Sequence, residues 1–88
     1  MLQLVRKSQF KKDFKKLRSS GRDIGELAET IRLLQHEKAL PEAMRDHQLI
    51  GNYDGYRECH IAPDWLLIYR IEDGFLVLVR TGSHSELF

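Results

Sequence analysis

The sequence is poor in the features that mark secreted and membrane proteins. Among its 88 residues there is one cysteine, Cys59, which excludes an internal disulfide. Its apolar runs are far shorter than the ~20 residues that cross a bilayer, and no amino-terminal apolar segment resembles a signal peptide. There are two prolines, and neither a repeat nor a linker is visible. We therefore expect one domain over residues 1–88, without a membrane segment, in the cytoplasm.

The charge is unevenly distributed along the chain, although the net charge is only +1. Residues 1–22 contain eight lysines and arginines and one aspartate, a charge of +7, whereas the remainder has six basic and twelve acidic residues, a charge of −6. A basic segment of this kind suits contact with nucleic-acid phosphates. It is also typical of the solvated face of an ordinary helix, so the charge alone leaves both interpretations open.

The basic segment has the period of an amphipathic helix. Phe10, Phe14 and Leu17 recur at i, i+4 and i+7, and Ser8 and Gly21 are suitable residues for its two ends. Four lysines lie between the apolar positions: Lys11, Lys12, Lys15 and Lys16. We predict a helix that buries one apolar stripe and exposes the lysines.

A second helix is predicted after Gly21. Asp23 and Glu26 have the spacing of a capping box, and Leu27, Ile31 and Leu34 repeat the helical period. Pro41 lies beyond its expected end. The two helices form a hairpin that needs another apolar surface to cover its stripe.

After Pro41 the period changes to two, which predicts strands. Residues 56–61 alternate, residues 65–71 and 75–79 are apolar, and Asp73-Gly74 is a typical hairpin turn. Leu2 and Leu4 predict a further strand at the amino terminus. We therefore predict an α+β fold, in which a first strand and a helical hairpin pack on one face of a mostly antiparallel, twisted sheet.

The strand over residues 56–61 carries potential catalytic groups. Glu58 and His60 are two residues apart, so both side chains project from the same face as Tyr56, while Cys59 and Ile61 point to the core. Asp64 follows at the adjoining turn. Histidine and carboxylate groups can cleave RNA without a metal, since one removes the 2′-hydroxyl proton and another protonates the 5′-oxygen. Such groups are common, so by themselves they leave the activity open.

Zinc binding is the main competing chemistry. Histidines stand at 36, 47, 60 and 84, yet no two ligands have a short zinc spacing. Cys59 and His60 are adjacent on a strand and therefore point to opposite faces. We expect no metal and no other cofactor, and we expect Cys59 to be a small core residue rather than a nucleophile.

Three segments, taken together, resemble the YafQ branch of the RelE/ParE toxins: DHQL at 46–49, GYRECHIAPDWLLIYRI at 55–71 and VRTGSHSELF at 79–88. Their order and spacing carry the resemblance, which covers the second half in sequence and the whole chain in length and element order. The resemblance implies a ribosome-dependent endoribonuclease that cuts messenger RNA and is silenced by a cognate antitoxin protein.

The resemblance also implies a set of site residues. His47, His60, Asp64, His84 and the terminal Phe88 match the motif positions of the family's active site, and Glu58 stands where some relatives have aspartate. The implied roles are His84 as general acid, His47 or His60 as base, and Asp64 as an orienting or second basic group. Arg57 and Arg80 would steady the phosphate, Phe88 would stack on a base, and the four lysines would contact ribosomal RNA.

Two other functions are compatible with parts of the sequence. A ParE-like toxin on the same fold acts without catalysis by binding a protein such as gyrase, but such relatives lack the three histidines. A plain nucleic-acid-binding module is supported only by the basic helix.

Overall fold

The computed structural model describes all 88 residues and contains three helices and five strands. In chain order these are β1 Gln3–Arg6, α1 Ser8–Arg18, α2 Ile24–Gln35, β2 His47–Gln48, β3 Arg57–Ala62, β4 Trp65–Glu72, β5 Phe75–Gly82 and α3 His84–Leu87. Short 3₁₀ turns cover Glu42–Met44 and Gly51–Tyr53. None of the helices combines the length and the apolar character needed to span a bilayer.

The strands form one sheet in the order β1-β5-β4-β3-β2. β1 runs parallel to β5, and every other neighbouring pair is antiparallel. The turn between β4 and β5 has positive φ angles at both Asp73 and Gly74, as a two-residue hairpin with the sheet's twist requires. The predicted α+β fold with a mostly antiparallel sheet is therefore confirmed.

Helices α1 and α2 cover one face of the sheet with the predicted apolar stripe. Phe10, Leu17, Leu27 and Leu34 are buried against side chains of the three longer strands. These strand residues are Cys59, Trp65, Leu67, Tyr69, Leu76 and Leu78. Because side chains along a strand point alternately to the two faces of the sheet, every second residue of these strands lies in the main core.

The opposite face is also partly covered, which the sequence did not predict. Leu66 and Ile68 of β4 are fully buried there beneath Leu87 of α3. Partly buried residues surround them: Leu49, Tyr53, Tyr56 and Val79. This second cluster fixes α3 and the chain around β2 to the face that carries Glu58 and His60.

The helix ends differ in detail from the prediction. Ser8 is the first residue of α1 rather than its cap, because Lys7 occupies the cap position without a side-chain bond. α1 ends at Arg18, and Gly21 lies in the connection. Asp23 caps α2 by accepting a hydrogen bond from the Gly25 N–H at 2.9 Å. The complete capping box is at α3 instead, between Ser83 and Glu86.

Candidate active site

A buried carboxylate lies between two histidines on the face opposite α1 and α2. β2 pairs with β3 so that His47 stands beside Glu58, and alternation places His60 on the same face. The Glu58 Oε1 atom is 3.5 Å from His47 Nε2 and 3.3 Å from His60 Nε2. Only 5% of the Glu58 side chain is exposed, so the two rings are the polar partners of an otherwise desolvated carboxylate.

His47 has hydrogen-bond acceptors beside both ring nitrogens. Its Nδ1 is 2.6 Å from the carbonyl oxygen of Arg45, and its Nε2 faces Glu58. His60 differs, because its Nε2 faces Glu58 while its Nδ1 has no protein partner.

His84 joins this cluster from the start of α3. Its backbone N–H donates to Asp64 Oδ1 at 3.1 Å, and its ring Nδ1 is 3.5 Å from the same oxygen. The ring centroids of His60 and His84 are 5.8 Å apart, and those of His47 and His60 are 6.2 Å apart. The three histidines therefore form a row, with His60 in the middle.

A helix as short as α3 cannot form alone, so it depends on its ends and its packing. The Ser83 N–H donates to Glu86 Oε1 at 2.8 Å, the Glu86 N–H donates to Ser83 Oγ at 3.3 Å, and Leu87 is buried. Lys16 Nζ of α1 lies 3.1 Å from Glu86 Oε2. These bonds from the Ser83 backbone, Lys16 and the Ser83 side chain lower the pKa of Glu86 to about 2. His84 is thereby held in place by residues outside the cluster.

The carboxy-terminal Phe88 closes one end of the row. Its ring packs edge-on against Tyr53 at 5.6 Å and lies 6.2 Å from the His84 ring. Even so, 61% of Phe88 is exposed. An aromatic ring fixed on one side and open on the other can stack on a flat partner.

The histidine row borders an open cleft of about 600 Å³. No apolar residue lines the cleft, whose six lining residues are Arg45, Asp46, His47, Glu58, His60 and His84. Four of the five predicted catalytic residues therefore share one cavity, and Asp64 reaches it through His84.

The two arginines predicted to steady the phosphate do not line this cleft. Alternation along β3 turns Arg57 to the face opposite Glu58, where its Nε donates to Asp46 Oδ1 at 3.3 Å. Tyr69 donates to the same Asp46 oxygen at 2.5 Å. Desolvation works against the charge of Arg57, but these partners outweigh it and raise its pKa. Arg57 is therefore not among the residues that line the cleft, and its contact with a phosphate stays a prediction.

Arg80 lies on β5 beyond the end of its pairing with β1, beside α1. Its Nε and Nη2 donate to the two carboxylate oxygens of Asp13 at 2.8 and 3.2 Å. This bond to Asp13 raises the pKa of Arg80, and Tyr53 contributes less. The Thr81 N–H donates to Asp13 as well, so one carboxylate ties α1 to the strand that leads into α3.

The four lysines of α1 are all exposed, but they lie on two sides of the helix. Lys12 and Lys16 line a groove of about 340 Å³ that also includes Arg22 and Arg80. Lys11 borders a separate, mainly apolar groove between α1, α2 and β1. The basic surface next to the active-site cleft is thus formed by Lys12 and Lys16 rather than by all four lysines.

Sequence reasoning missed Arg45 and Asp46 as lining residues. Both immediately precede His47, so their position in the DHQL segment and just before it was the available signal. Their orientation depends on a left-handed backbone at Arg45, with φ 51° and ψ 48°, which a non-glycine residue seldom adopts.

The remaining histidine and the cysteine lie outside the site. His36 caps the carboxyl end of α2, and Cys59 is fully buried in the main core. Burial raises the pKa of the Cys59 thiol to about 12, which makes it a poor nucleophile. No three histidine, cysteine or acidic side chains are arranged around one point as metal ligands are.

The chain matches known proteins over nearly its full length. Residues 2–88 match the family described as the bacterial toxin of type II toxin-antitoxin system, YafQ. The mRNA interferase toxin YafQ of Escherichia coli K12 is 40% identical over 81 residues, which are 91% of this chain and 88% of that protein.

The fold of the chain also matches solved structures of bacterial toxins. A copper-bound mutant toxin from Helicobacter pylori is 46% identical and superposes with a TM-score of 0.96, each chain being covered completely. The E. coli DinJ-YafQ complex gives a TM-score of 0.91 at 36% identity, with 100% of this chain and 99% of that chain covered. Sequence and fold agree over the whole length, and the chain therefore belongs to the YafQ family of bacterial type II toxin-antitoxin toxins.

Proposed function

We propose that the chain is a ribosome-dependent endoribonuclease that cleaves messenger RNA by metal-independent acid-base catalysis. The observation that carries the proposal is the row of three histidines beside a buried carboxylate, in a cleft with no apolar lining. The curated relative is named an mRNA interferase, which supports the same substrate.

His60 is the general base of the proposed reaction. Its Nδ1 has no protein partner and is free to take the proton of an RNA 2′-hydroxyl. The 2′-oxygen then attacks the adjacent phosphorus, and the bond from phosphorus to the 5′-oxygen breaks. The products are a 2′,3′-cyclic phosphate and a 5′-hydroxyl.

His84 is the general acid, since the ring Nδ1 faces Asp64 and the Nε2 has no protein partner. A proton on that Nε2 can pass to the departing 5′-oxygen. The His60 and His84 ring centroids are 5.8 Å apart and both side chains line one cleft, so a single phosphate in the cleft is within reach of both rings. Asp64 orients the acid, as a carboxylate commonly does for a catalytic imidazole.

Glu58 and His47 support the base. Glu58 contacts both rings through one oxygen, and His47 lies at the edge of the cleft. A base that is held in place in this way needs no rearrangement when the reaction starts.

RNA binding is assigned to the surfaces around the cleft. Phe88 stacks on a nucleotide base, a contact worth ~1–3 kcal/mol that tolerates any base. Lys12, Lys16 and Arg80 contact RNA phosphates along the groove beside α1, and Lys11 and Lys15 extend the basic surface across the helix. Phosphate contacts of this kind fix position rather than sequence.

The proposed partner is a cognate antitoxin protein. The supporting observation is that the YafQ relative has been solved in complex with DinJ. The small chain leaves apolar surface between α1, α2 and β1, where Leu4 is 40% exposed. A messenger on the ribosome as substrate places the activity in the cytoplasm.

The test is cleavage of a defined messenger RNA by the purified chain, with ribosomes present and with ribosomes omitted. The protein is first treated with a chelator and then freed of it, so that ribosomal magnesium is left intact. We expect cleavage only with ribosomes, unchanged by the treatment, and upstream fragments ending in a 2′,3′-cyclic phosphate.

Each other outcome points to a different function. Activity that disappears on chelation and is restored by copper or zinc would contradict the metal-independent mechanism. Intact messenger together with inhibited gyrase supercoiling would indicate the non-catalytic ParE-like action. RNA binding with neither effect would indicate a plain binding module.

A further inference from the structure

Arg45 is the one arginine or lysine that lines the histidine cleft. The two arginines that the sequence analysis considered lie outside the cleft lining and pair with carboxylates, Arg57 with Asp46 and Arg80 with Asp13. The Arg45 guanidinium has neither a hydrogen bond nor an ion pair within the protein. It is therefore a permanent charge without a partner at the edge of an open polar cavity.

The backbone of Arg45 is held firmly although its side chain is free. Its N–H donates to the Glu42 carbonyl at 3.0 Å, and its own carbonyl lies 2.6 Å from His47 Nδ1. The residue is in the left-handed region, with φ 51°. Strain of this kind persists when the surroundings enforce it, and it is concentrated at functional sites.

The proposed reaction requires such a cation. The phosphate gains negative charge as the 2′-oxygen attacks, and Glu58 and Asp46 already make the cleft acidic. An arginine can donate two parallel hydrogen bonds to two phosphate oxygens, which a lysine cannot.

We infer that Arg45 binds the scissile phosphate and stabilises its charge in the transition state. The inference rests on the proposed ribonuclease function. It adds the group that the histidine row lacks, a guanidinium that can donate two hydrogen bonds to one phosphate.

The test compares Arg45→Gln, Arg45→Lys and Arg45→Gly with the wild type in single-turnover cleavage on ribosomes. Removal of one donor to a developing oxyanion typically costs ~10²–10³-fold in rate, and we expect Arg45→Gln to fall in this range. Arg45→Lys should cleave faster than Arg45→Gln but more slowly than the wild type, because lysine keeps the positive charge but lacks the two parallel donors of the guanidinium. Arg6→Gln, on β1 at the opposite edge of the sheet, is the matched control and should keep the wild-type rate.

Arg45→Gly separates charge from folding. Glycine adopts a φ of 51° without strain, so this variant should melt no lower than the wild type while its activity falls as far as that of Arg45→Gln. A structural role for Arg45 predicts the reverse pattern, with altered melting in Arg45→Gln and activity that follows the folded fraction. Binding to a short single-stranded RNA is measured at several salt concentrations. If Arg45→Gln loses one phosphate contact, the plot of log binding constant against log salt concentration should become less steep by ~0.7.

The outcomes distinguish this inference from the proposed function. If the wild type cleaves and all three Arg45 variants match it, Arg45 does not bind the phosphate and the ribonuclease proposal stands. If the wild type itself leaves the messenger intact, the ribonuclease proposal fails and Arg45 loses its role with it.

Discussion

His84 and Asp64 are joined twice through a single oxygen atom. Asp64 Oδ1 accepts the backbone N–H of His84 at 3.1 Å and lies 3.5 Å from the Nδ1 of the same residue. The turn between β3 and β4 thus sets both the start of α3 and the direction of the ring. The same oxygen contacts both the backbone and the ring of His84. Substitutions at Asp64 should therefore change the position of His84, the proposed general acid, while the His84 side chain itself is kept.

Asp64→Asn tests this relationship. The amide oxygen can still accept the backbone N–H, so α3 should start in the same place, but the negative charge beside the ring is removed. Asp64→Ala removes both interactions and should cost more, up to ~10²-fold, as misplacement of a catalytic group by about 1 Å can. Single-turnover rates across pH 5–9 would reveal the difference. Equal rates in the two variants would contradict separate roles for the bond and the charge.

Loss of either proton-transfer group should abolish most of the cleavage. His60→Ala and His84→Ala each remove a group proposed as general base or general acid, and such a group typically contributes ~10²–10⁴-fold. His36→Ala is the matched control, because His36 caps α2 and is absent from the cleft lining. Melting temperatures are measured on the same samples. Wild-type rates in both folded active-site variants would remove the catalytic assignment.

Glu58→Gln keeps the size of the buried side chain and removes its charge. The amide oxygen can still face both rings as Glu58 Oε1 does, but the acceptor is now neutral and the other oxygen is replaced by a donor NH₂ group. We expect cleavage to fall by more than ~10-fold, since hydrogen bonds to a neutral acceptor are weaker and hold the proposed base less firmly. Glu72→Gln, an exposed change on the same sheet, serves as control. A Glu58→Gln variant that cleaves normally would make this carboxylate purely structural.

The lysines of α1 should differ in their effect on ribosome binding. Lys12→Gln/Lys16→Gln changes the side of the helix that shares a groove with Arg22 and Arg80, while Lys11→Gln/Lys15→Gln changes the other side. Both pairs remove two charges, so a difference between them cannot come from net charge, and melting temperatures of both variants show whether loss of the Lys16–Glu86 ion pair disturbs α3. We expect the first pair to weaken binding more and to reduce the salt slope by up to ~1 for each phosphate that is no longer bound. Equal effects would indicate that only net charge matters.

Much of the fold follows from local patterns in the sequence. The stripe of Phe10, Phe14 and Leu17 predicted α1, and the Asp73-Gly74 turn predicted the β4–β5 hairpin, because period and turn chemistry depend on neighbouring residues. α3 and the parallel β1–β5 pairing were not predicted. A four-residue helix has too short a pattern to detect, and the pairing of distant strands is decided by packing of the whole chain.

The candidate site was predictable in part for the same reason. Alternation along β3 correctly placed Glu58 and His60 together, and the family resemblance supplied His47, His84 and Asp64. The cations were harder to place. An arginine is equally plausible at several positions in the sequence, and only the folded structure shows that Arg57 and Arg80 pair with buried or half-buried carboxylates while Arg45 lines the cleft.

The last prediction concerns pH and the stability of α3. Hydrogen bonds from Ser83 and Lys16 lower the pKa of Glu86 from its ordinary value of 4.5 to about 2. A group whose pKa is lower in the folded state stabilises the fold when ionised, so its contribution is complete above about pH 4.5 and disappears as the pH falls towards 2. Glu86→Gln keeps an oxygen that can accept the Ser83 N–H, and it removes the charge together with the oxygen that faces Lys16.

We therefore expect wild type and Glu86→Gln to differ most in urea unfolding at pH 7 and to converge between pH 4.5 and 2. Since 39% of the Glu86 side chain is exposed, water screens the charge, and the difference should be smaller than the pKa shift alone implies. Lys16→Gln removes one of the partners and should show a smaller destabilisation over the same pH range. A difference between wild type and Glu86→Gln that stays constant from pH 7 to pH 3 would mean that the charge of Glu86 does not hold α3, and hence His84, in place.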